Sequence, residues 1–377
     1  MPGYRVESCA VKNPEDIKKE WSDLQKRADC SYFLSWGWIG TWLETIAGDL
    51  DPVLVKIWFG NELVGLGLFV SKQFKRRWVI HSNAMFLNEY PFDGRNMIIE
   101  YNGLLADKNH RQSVYTEVSK YLLKTCKNSD EFFFGGISES EDFKLLHESS
   151  KGSNGDLKVL EKSPAWLVEL DAFEQGISAF LDTLSKNRRM QIRRSINVYE
   201  EDSPLKLEVA DNTEEALMFF DGLKELHTAR WKSKGGEGCF KNPLWENFHR
   251  TLIRSRFDKG EVQLLRVNGS SGTIGYLYNF IWGKRVYVLQ TGFKLTDEKQ
   301  LMPGYVVHVL AIVYNKQKGM EAYDLMHGDS LYKRIICNQS RNLYWVVLQR
   351  HRLKYVFEEW AINTVRNFKR VFSGGAE

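Results

Sequence analysis

Between Tyr287 and Lys333 the chain sets out local signals in an order that few folds satisfy. Tyr287-Val-Leu-Gln-Thr-Gly-Phe293 reads as a strand, and Met302-Pro-Gly-Tyr305 as a turn that opens a helix. Tyr323-Asp-Leu-Met-His-Gly328 reads as a second strand, and Tyr332-Lys333 falls in the short helix after it. Pro303 suits a first helical turn, where its missing N–H would be unpaired anyway and its φ is preset. Gly304 lets the backbone approach a ligand closely. The amides of Gly304, Tyr305 and Val306 are therefore expected to face an anion, with the helix dipole behind them, and a pyrophosphate fits that cradle.

The rest of the chain is written twice. Ser149-Ser-Lys-Gly-Ser-Asn-Gly-Asp156 reads as a linker and divides the 377 residues into segments 1–155 and 156–377. Each segment begins with amphipathic helices rich in Trp and Leu: 17–27 and 37–46 in the first, 213–232 in the second. Each continues into a hairpin, Pro52–Phe59 turning at Gly60-Asn61 into Leu63–Phe69, and Val262–Val267 turning at Asn268-Gly269 into Ile274–Phe280. The expected fold is α/β (α+β), with a mixed, mostly antiparallel sheet flanked by helices in each half. Trp36, Trp38 and Trp42 are expected to pack in the core. A strand over 344–348 and a closing helix from His351 to Val371, its stripe of Leu353, Val356, Phe357, Trp360, Ile362, Val365 and Phe368 buried, end the pattern.

Gln290-Thr-Gly-Phe293, the Pro303-Gly304 helix start and the run Asp324-x-x-x-Gly328-x-x-x-Tyr332-Lys333 together resemble the C-terminal module of GNAT-superfamily acyltransferases of the CelD/BcsL type, relatives of the FemABX aminoacyl transferases. The loop Gln300-Leu-Met-Pro-Gly304-Tyr-Val306 stands where the superfamily usually has Gln/Arg-x-x-Gly-x-Gly/Ala. The resemblance implies two tandem GNAT-like modules, the first degenerate as to cofactor and the second binding acyl-CoA, acetyl-CoA above all. Gln290, Met302, Gly304, Tyr305 and Val306 would hold that co-substrate.

Tyr332 occupies the place where many GNAT enzymes put a tyrosine near the thioester sulfur, and a phenol can protonate a departing thiolate. Lys333 resembles the lysine of the family's Tyr-Lys pair and could hold a phosphate, or be a solvated surface residue. Asp324, in an otherwise apolar strand, needs a partner. It could serve as or position a general base, or brace Lys333 or Arg334. His327, at the strand end, and His308, one helical turn beyond Gly304, are further bases or plain polar residues. The basic run Lys186–Arg194 resembles the family segment that introduces the second module, and Arg188 could bind a phosphate there. Arg230-Trp231 matches the family's Arg-Trp position. In the first segment Asn88-Glu-Tyr-Pro-Phe-Asp-Gly94 resembles a loop lining the cleft between modules, with Tyr90 and Asp93 as acceptor contacts.

Charge and cysteines narrow the partners. A net charge of +4 is well short of a nucleic-acid protein, and no DNA partner is expected. Five cysteines without CxxC spacing point to reduced thiols, a cytoplasmic location and no zinc site. No run approaches the roughly 18 apolar residues of a membrane span. Walker, dinucleotide and metalloprotease motifs are all missing, so no metal is expected. The leading expectation is an acyl-CoA-dependent N-acyltransferase acting on a sugar, nucleotide sugar or other envelope or polysaccharide precursor. Transfer from aminoacyl-tRNA is the alternative, disfavoured because no heptad run supplies the coiled-coil arm common in FemABX proteins. A ligand-binding protein without catalysis is a third.

Overall fold

The computed structural model describes residues 3–76, 80–97, 99–298, 300–360 and 362. In chain order the first half contains β1 (Tyr4–Ala10), α1 (Glu15–Gln25), α2 (Trp36–Trp42), β2 (Val53–Phe59), β3 (Glu62–Lys75), β4 (His81–Leu87), a short β5 (Leu105–Ala106), α3 (Arg111–Lys124), β6 (Glu131–Ser138), α4 (Lys144–Ser150) and β7 (Gly155–Glu169). Two connecting helices follow, α5 (Ile177–Asp182) and α6 (Lys186–Tyr199). The second half is β8 (Lys206–Val209), α7 (Thr213–Ser233), α8 (Pro243–Arg256), β9 (Val262–Gly269), β10 (Gly272–Trp282), β11 (Arg285–Phe293), α9 (Pro303–Gln317), β12 (Ala322–His327), α10 (Leu331–Ile336) and β13 (Gln339–Arg350). Apart from β5 the two lists match element for element.

The sheet shows the same duplication. Its order is β1-β2-β3-β4-β6-β13-β7-β12-β11-β10-β9-β8, which reads identically from either end once each element is replaced by its counterpart. Within each half the first four strands are antiparallel. The fourth then pairs in parallel with the strand after the crossover helix: β4 with β6, and β11 with β12. The last strands are exchanged. β7 pairs with β12 of the second half, β13 pairs with β6 of the first, and β7 and β13 pair with each other from Gly155 to Leu167. The fold is thus two matching α/β halves sharing one mixed sheet.

The helices over one face share a core as well. Tyr32 stacks on Phe280 with ring centroids 4.3 Å apart, and Trp38 meets Phe248 at 4.8 Å, so first-half aromatics pack against α8 and β10. Trp36, Trp38 and Trp42 are all buried. α9 is apolar nearly all round, with Val306, Val307, Val309, Ala311, Ile312 and Val313 buried, as a helix covered on several sides must be.

Three local expectations need correction. The expected linker at 149–156 is mostly ordered structure: Ser149 and Ser150 end α4, and Gly155 and Asp156 begin β7 and pair with Arg350 and Gln349 in the shared sheet. The second hairpin turns at Ser270-Ser271, because Asn268 and Gly269 still pair with Thr273 and Gly272. Residues 353–360 are helical, but Leu353, Val356, Phe357 and Trp360 are exposed. The buried positions are Tyr355, whose hydroxyl is 2.7 Å from Ser82 Oγ, and Glu358, paired with Arg76 at 3.0 Å. A buried ion pair and hydroxyl contact set the rotation of this helix against its apolar stripe, because leaving them unpaired would cost more than wetting four side chains. Positions 363–371 of the expected helix lie outside the described residues.

Trp38→Ala removes a fully buried indole from the core shared by both halves. It should destabilise by about 3–5 kcal/mol. Because the core and sheet are continuous, chemical unfolding followed by fluorescence and by circular dichroism should remain one transition; separate transitions for the two halves would contradict the shared core.

Candidate active site

β11 and β12 pair for three residues only, Arg285 with Ala322, Val286 with Tyr323 and Tyr287 with Asp324. β11 also carries an extra residue, Leu289, because Asn279 faces Val288 while Tyr278 faces Gln290. Beyond Tyr287 the two strands part. The N-terminus of α9 and the start of α10 close the opening around a cavity of about 480 Å³, lined among others by Arg230, Thr291, Phe293, Lys294, Met302, Gly304, Tyr305, His308 and Tyr332.

Pro303 stands in the first turn of α9, and no side chain caps the helix. The Val306 amide bonds back to the Met302 carbonyl at 3.1 Å, so the expected trio of free amides is reduced to Gly304 and Tyr305. The Met302 amide is held by Ser195 Oγ of α6 at 2.9 Å, which fixes the angle at which the chain enters the helix. Gly304 faces the Phe293 ring, and a Cβ there would stand 3.2 Å from it. Cations surround this end. Arg230 and Lys294 line the cavity, with the Arg230 guanidinium 5.9 Å from the Phe293 ring, and Arg188 of α6 lies 5.0 Å over the Tyr305 ring. Two open amides, a helix dipole and these cations are groups that can together hold an anion.

Tyr332 faces the same cavity, half-buried and stacked beside His308 at 5.7 Å. Burial pushes its phenol up to about 12, against the opposing pull of Arg230. Lys333, next to it, turns away. Its Nζ donates to the Met326 carbonyl at 3.2 Å and to the His327 carbonyl.

That contact belongs to a set that fixes the end of β12. Met326 has φ of 61°, the left-handed region, which is costly for a residue with a side chain. Asp324, wholly buried, accepts from the Met326 amide at 2.7 Å, from the Tyr101 hydroxyl at 2.6 Å and from Arg285 at 3.2 Å. Burial raises its pKa and Arg285 opposes the rise. Glu100 accepts from the His327 amide at 2.6 Å and lies 2.5 Å from its Nδ1, which raises the imidazole pKa. Tyr101 and Glu100 come from the first half, so both modules hold the strand end in place.

The remaining expected residues lie elsewhere. The Gln290 amide donates to Cys239 Sγ at 3.2 Å, and Val306 is buried in the core. Trp231 is exposed and stands beside His227. Cys239 lies 3.9 Å from His227 Nε2, but burial pushes the thiol up to about 12 and the imidazole down to about 4, which leaves both neutral. Tyr90 and Asp93 satisfy one another at 3.0 Å, with Lys72 on Asp93, away from the cavity.

The same loop contains a residue that the sequence reading passed over. Glu89 is half-buried without a hydrogen-bond or ion-pair partner among the described residues, and burial pushes its carboxyl up to about 7. It lies where β4 and β6 part, the first-half equivalent of the β11/β12 opening. A Cβ on Gly135 would meet both its carboxylate and Trp345, and Trp345 lies 5.4 Å from the His327 ring. The Glu in Asn88-Glu-Tyr-Pro was visible, but nothing local marks it as unpaired.

Residues 186–334, from α6 to α10, match the family described as an acetyltransferase (GNAT) domain, and this segment contains every cavity residue. No curated protein matches the chain. Among solved structures it is similar to FemX, at 8% identity and TM-score 0.57 over 90% of this chain and 96% of that one. It is also similar to L-PGS from Bacillus licheniformis, at 11% identity and TM-score 0.53 over 92% and 95%. A third likeness is to a conserved protein of unknown function from Bacteroides thetaiotaomicron, at 9% and 0.54 over 91% and 100%. Those likenesses show the fold alone; the family match gives a GNAT-type acetyltransferase domain to residues 186–334.

Gly304→Val should drive a branched side chain into the Phe293 contact and across the open amides. Titration calorimetry should show CoA affinity lower by about tenfold or more, with little change in melting temperature; unchanged affinity removes the cradle. A second expectation concerns Glu89. Its folded pKa is raised, so its protonation favours the folded state below the unfolded value, and that contribution is lost as pH rises toward about 7. Glu89→Gln should flatten the fall in stability across that window; an unaltered pH profile would mean that the carboxyl is not desolvated.

Proposed function

We propose that this chain is an acyl-CoA-dependent N-acyltransferase, with acetyl-CoA the most economical donor. The donor lies in the second-half module, β8 to β13. The acceptor amine, on a sugar, nucleotide sugar or other envelope precursor, enters from the side walled by the first-half module, β1 to β7. The observation that carries this reading is the single cavity that joins an open helix N-terminus at Gly304 and Tyr305, two cations and the Tyr332 phenol.

The amine nitrogen attacks the thioester carbonyl carbon, a C–N bond forms, and the C–S pair moves onto sulfur. Tyr332, protonated at neutral pH, faces that sulfur and supplies a proton as the bond breaks. Arg230 beside it stabilises the phenolate until solvent restores the proton. On the acceptor side Glu89 is a carboxylate whose pKa near neutrality suits it to receive the ammonium proton. Asp324 and Lys333 act by holding the end of β12 rather than on the substrate.

The fold likeness to FemX favours one competing reading, transfer from an aminoacyl-tRNA into the same opening. Thermal shift with acetyl-CoA, CoA and a charged tRNA separates the two, since a ligand at 100 times its Kd adds about 2.7 kcal/mol. Stabilisation by the tRNA alone would favour the second.

Tyr332→Phe should lower kcat by about 10²-fold or more and leave KM for the donor nearly unchanged, because the proton is needed mainly in the transition state. Steady-state thiol release is the readout; a wild-type rate would remove Tyr332 from the chemistry.

A further inference from the structure

His308 is wholly buried in the wall of the donor cavity, one turn along α9 from Gly304. Its Nδ1 lies 3.0 Å from the hydroxyl of Tyr323, which is buried too and has no other hydrogen-bond partner among the described residues. A buried hydroxyl with one neighbour donates its proton to that neighbour, so Nδ1 accepts. Burial, with Lys333 nearby, pulls the imidazole down to about 3, and the ring stays neutral. A neutral ring that accepts at Nδ1 carries its proton on Nε2. That Nε2–H is buried without a hydrogen-bond partner among the described residues.

An orphaned donor of this kind is costly, and native proteins keep one where a ligand completes it. The ring is held in place. It lies 5.7 Å from Tyr332 with the planes 16° apart, and 5.7 Å from Phe293 at a steep angle. The ring therefore belongs to the wall that also presents the Tyr332 phenol.

We infer that His308 Nε2–H is a second hydrogen-bond donor to the sulfur of the acyl donor, acting beside Tyr332 as the C–S bond breaks. This rests on the acyl-CoA reading above. The bond pair passes to sulfur, His308 keeps its proton and shares it in a charge-assisted hydrogen bond, and the proton that ends on sulfur comes from Tyr332. A phenol held near 12 is a weak acid for a thiolate, and a second donor lowers the cost of the negative sulfur while the proton moves. Tyr323 positions the imidazole by fixing its tautomer.

The test compares CoA with desulfo-CoA, which lacks the sulfur, by titration calorimetry on wild type, His308→Phe and His308→Gln. Wild type should bind CoA more tightly than desulfo-CoA by about 2- to 10-fold, His308→Phe should erase the difference without weakening desulfo-CoA, and His308→Gln, which keeps an N–H, should restore part of it. In turnover His308→Phe should lower kcat by about 10- to 100-fold with a smaller change in KM. Equal behaviour of all three proteins toward both ligands overturns the inference and leaves the acyl-CoA reading standing; a wild type that binds neither ligand overturns both. Should His308→Phe not fold, nitrogen-15 resonances of the wild-type imidazole decide. An Nε2–H signal that moves with CoA and not with desulfo-CoA supports the role, and an Nδ1–H tautomer or a response indifferent to sulfur overturns it.

Discussion

The parallel pairing of β11 and β12 lasts three residues, and the cavity beside α9 exists because it stops there. A full ladder would leave no gap for a pantetheine-sized chain, while two fully separated strands would leave unpaired backbone in the core. The brake is Asp324. It takes hydrogen bonds from Tyr101, Arg285 and the Met326 amide, and so ends the ladder with every partner satisfied. Past that point Met326 takes a left-handed conformation, and Lys333 and Glu100 secure the carbonyls and amide that the kink exposes. Removing Lys333 would leave carbonyls unpaired in a strained turn, a structural loss of about 1–3 kcal/mol per group.

Strand exchange carries this arrangement across the duplication. Because β7 borders β12 and β13 borders β6, neither module completes its sheet alone. Glu100 and Tyr101 of the first half thereby reach the strand end of the second. Only the second opening has a helix beginning with Pro303-Gly304; its counterpart, α3, begins at Arg111 after His110, with neither proline nor glycine in its first turn. The first opening instead holds Glu89, whose carboxyl burial pushes up to about 7. Duplicated folds with divided roles follow from such differences.

Much of this was legible in the sequence where the signal is local. The Gly60-Asn61 turn, the Pro303-Gly304 helix start and the alternation in 262–280 each specify backbone geometry within a few residues, and they returned as expected apart from a short shift of the second turn. Strand exchange was not legible, since β7 and β13 carry nothing that names a partner some 180 residues away. Side-chain direction was also hidden. Tyr332 and Lys333 are neighbours in sequence, yet one faces the cavity and the other the backbone behind it. The closing stripe misled because helical period reports an apolar face without saying what covers it, and Glu358 with Arg76 chose the other face. His308 and Glu89 matter through partners they lack, which no motif can show.

A crystal structure of the protein with CoA decides whether the helix start at Gly304 holds the donor. It should place the pyrophosphate on the Gly304 and Tyr305 amides, with the pantetheine arm between the parted ends of β11 and β12 and the sulfur beside Tyr332 and His308. CoA bound in the first-half opening, or along a surface away from Gly304, would contradict the account.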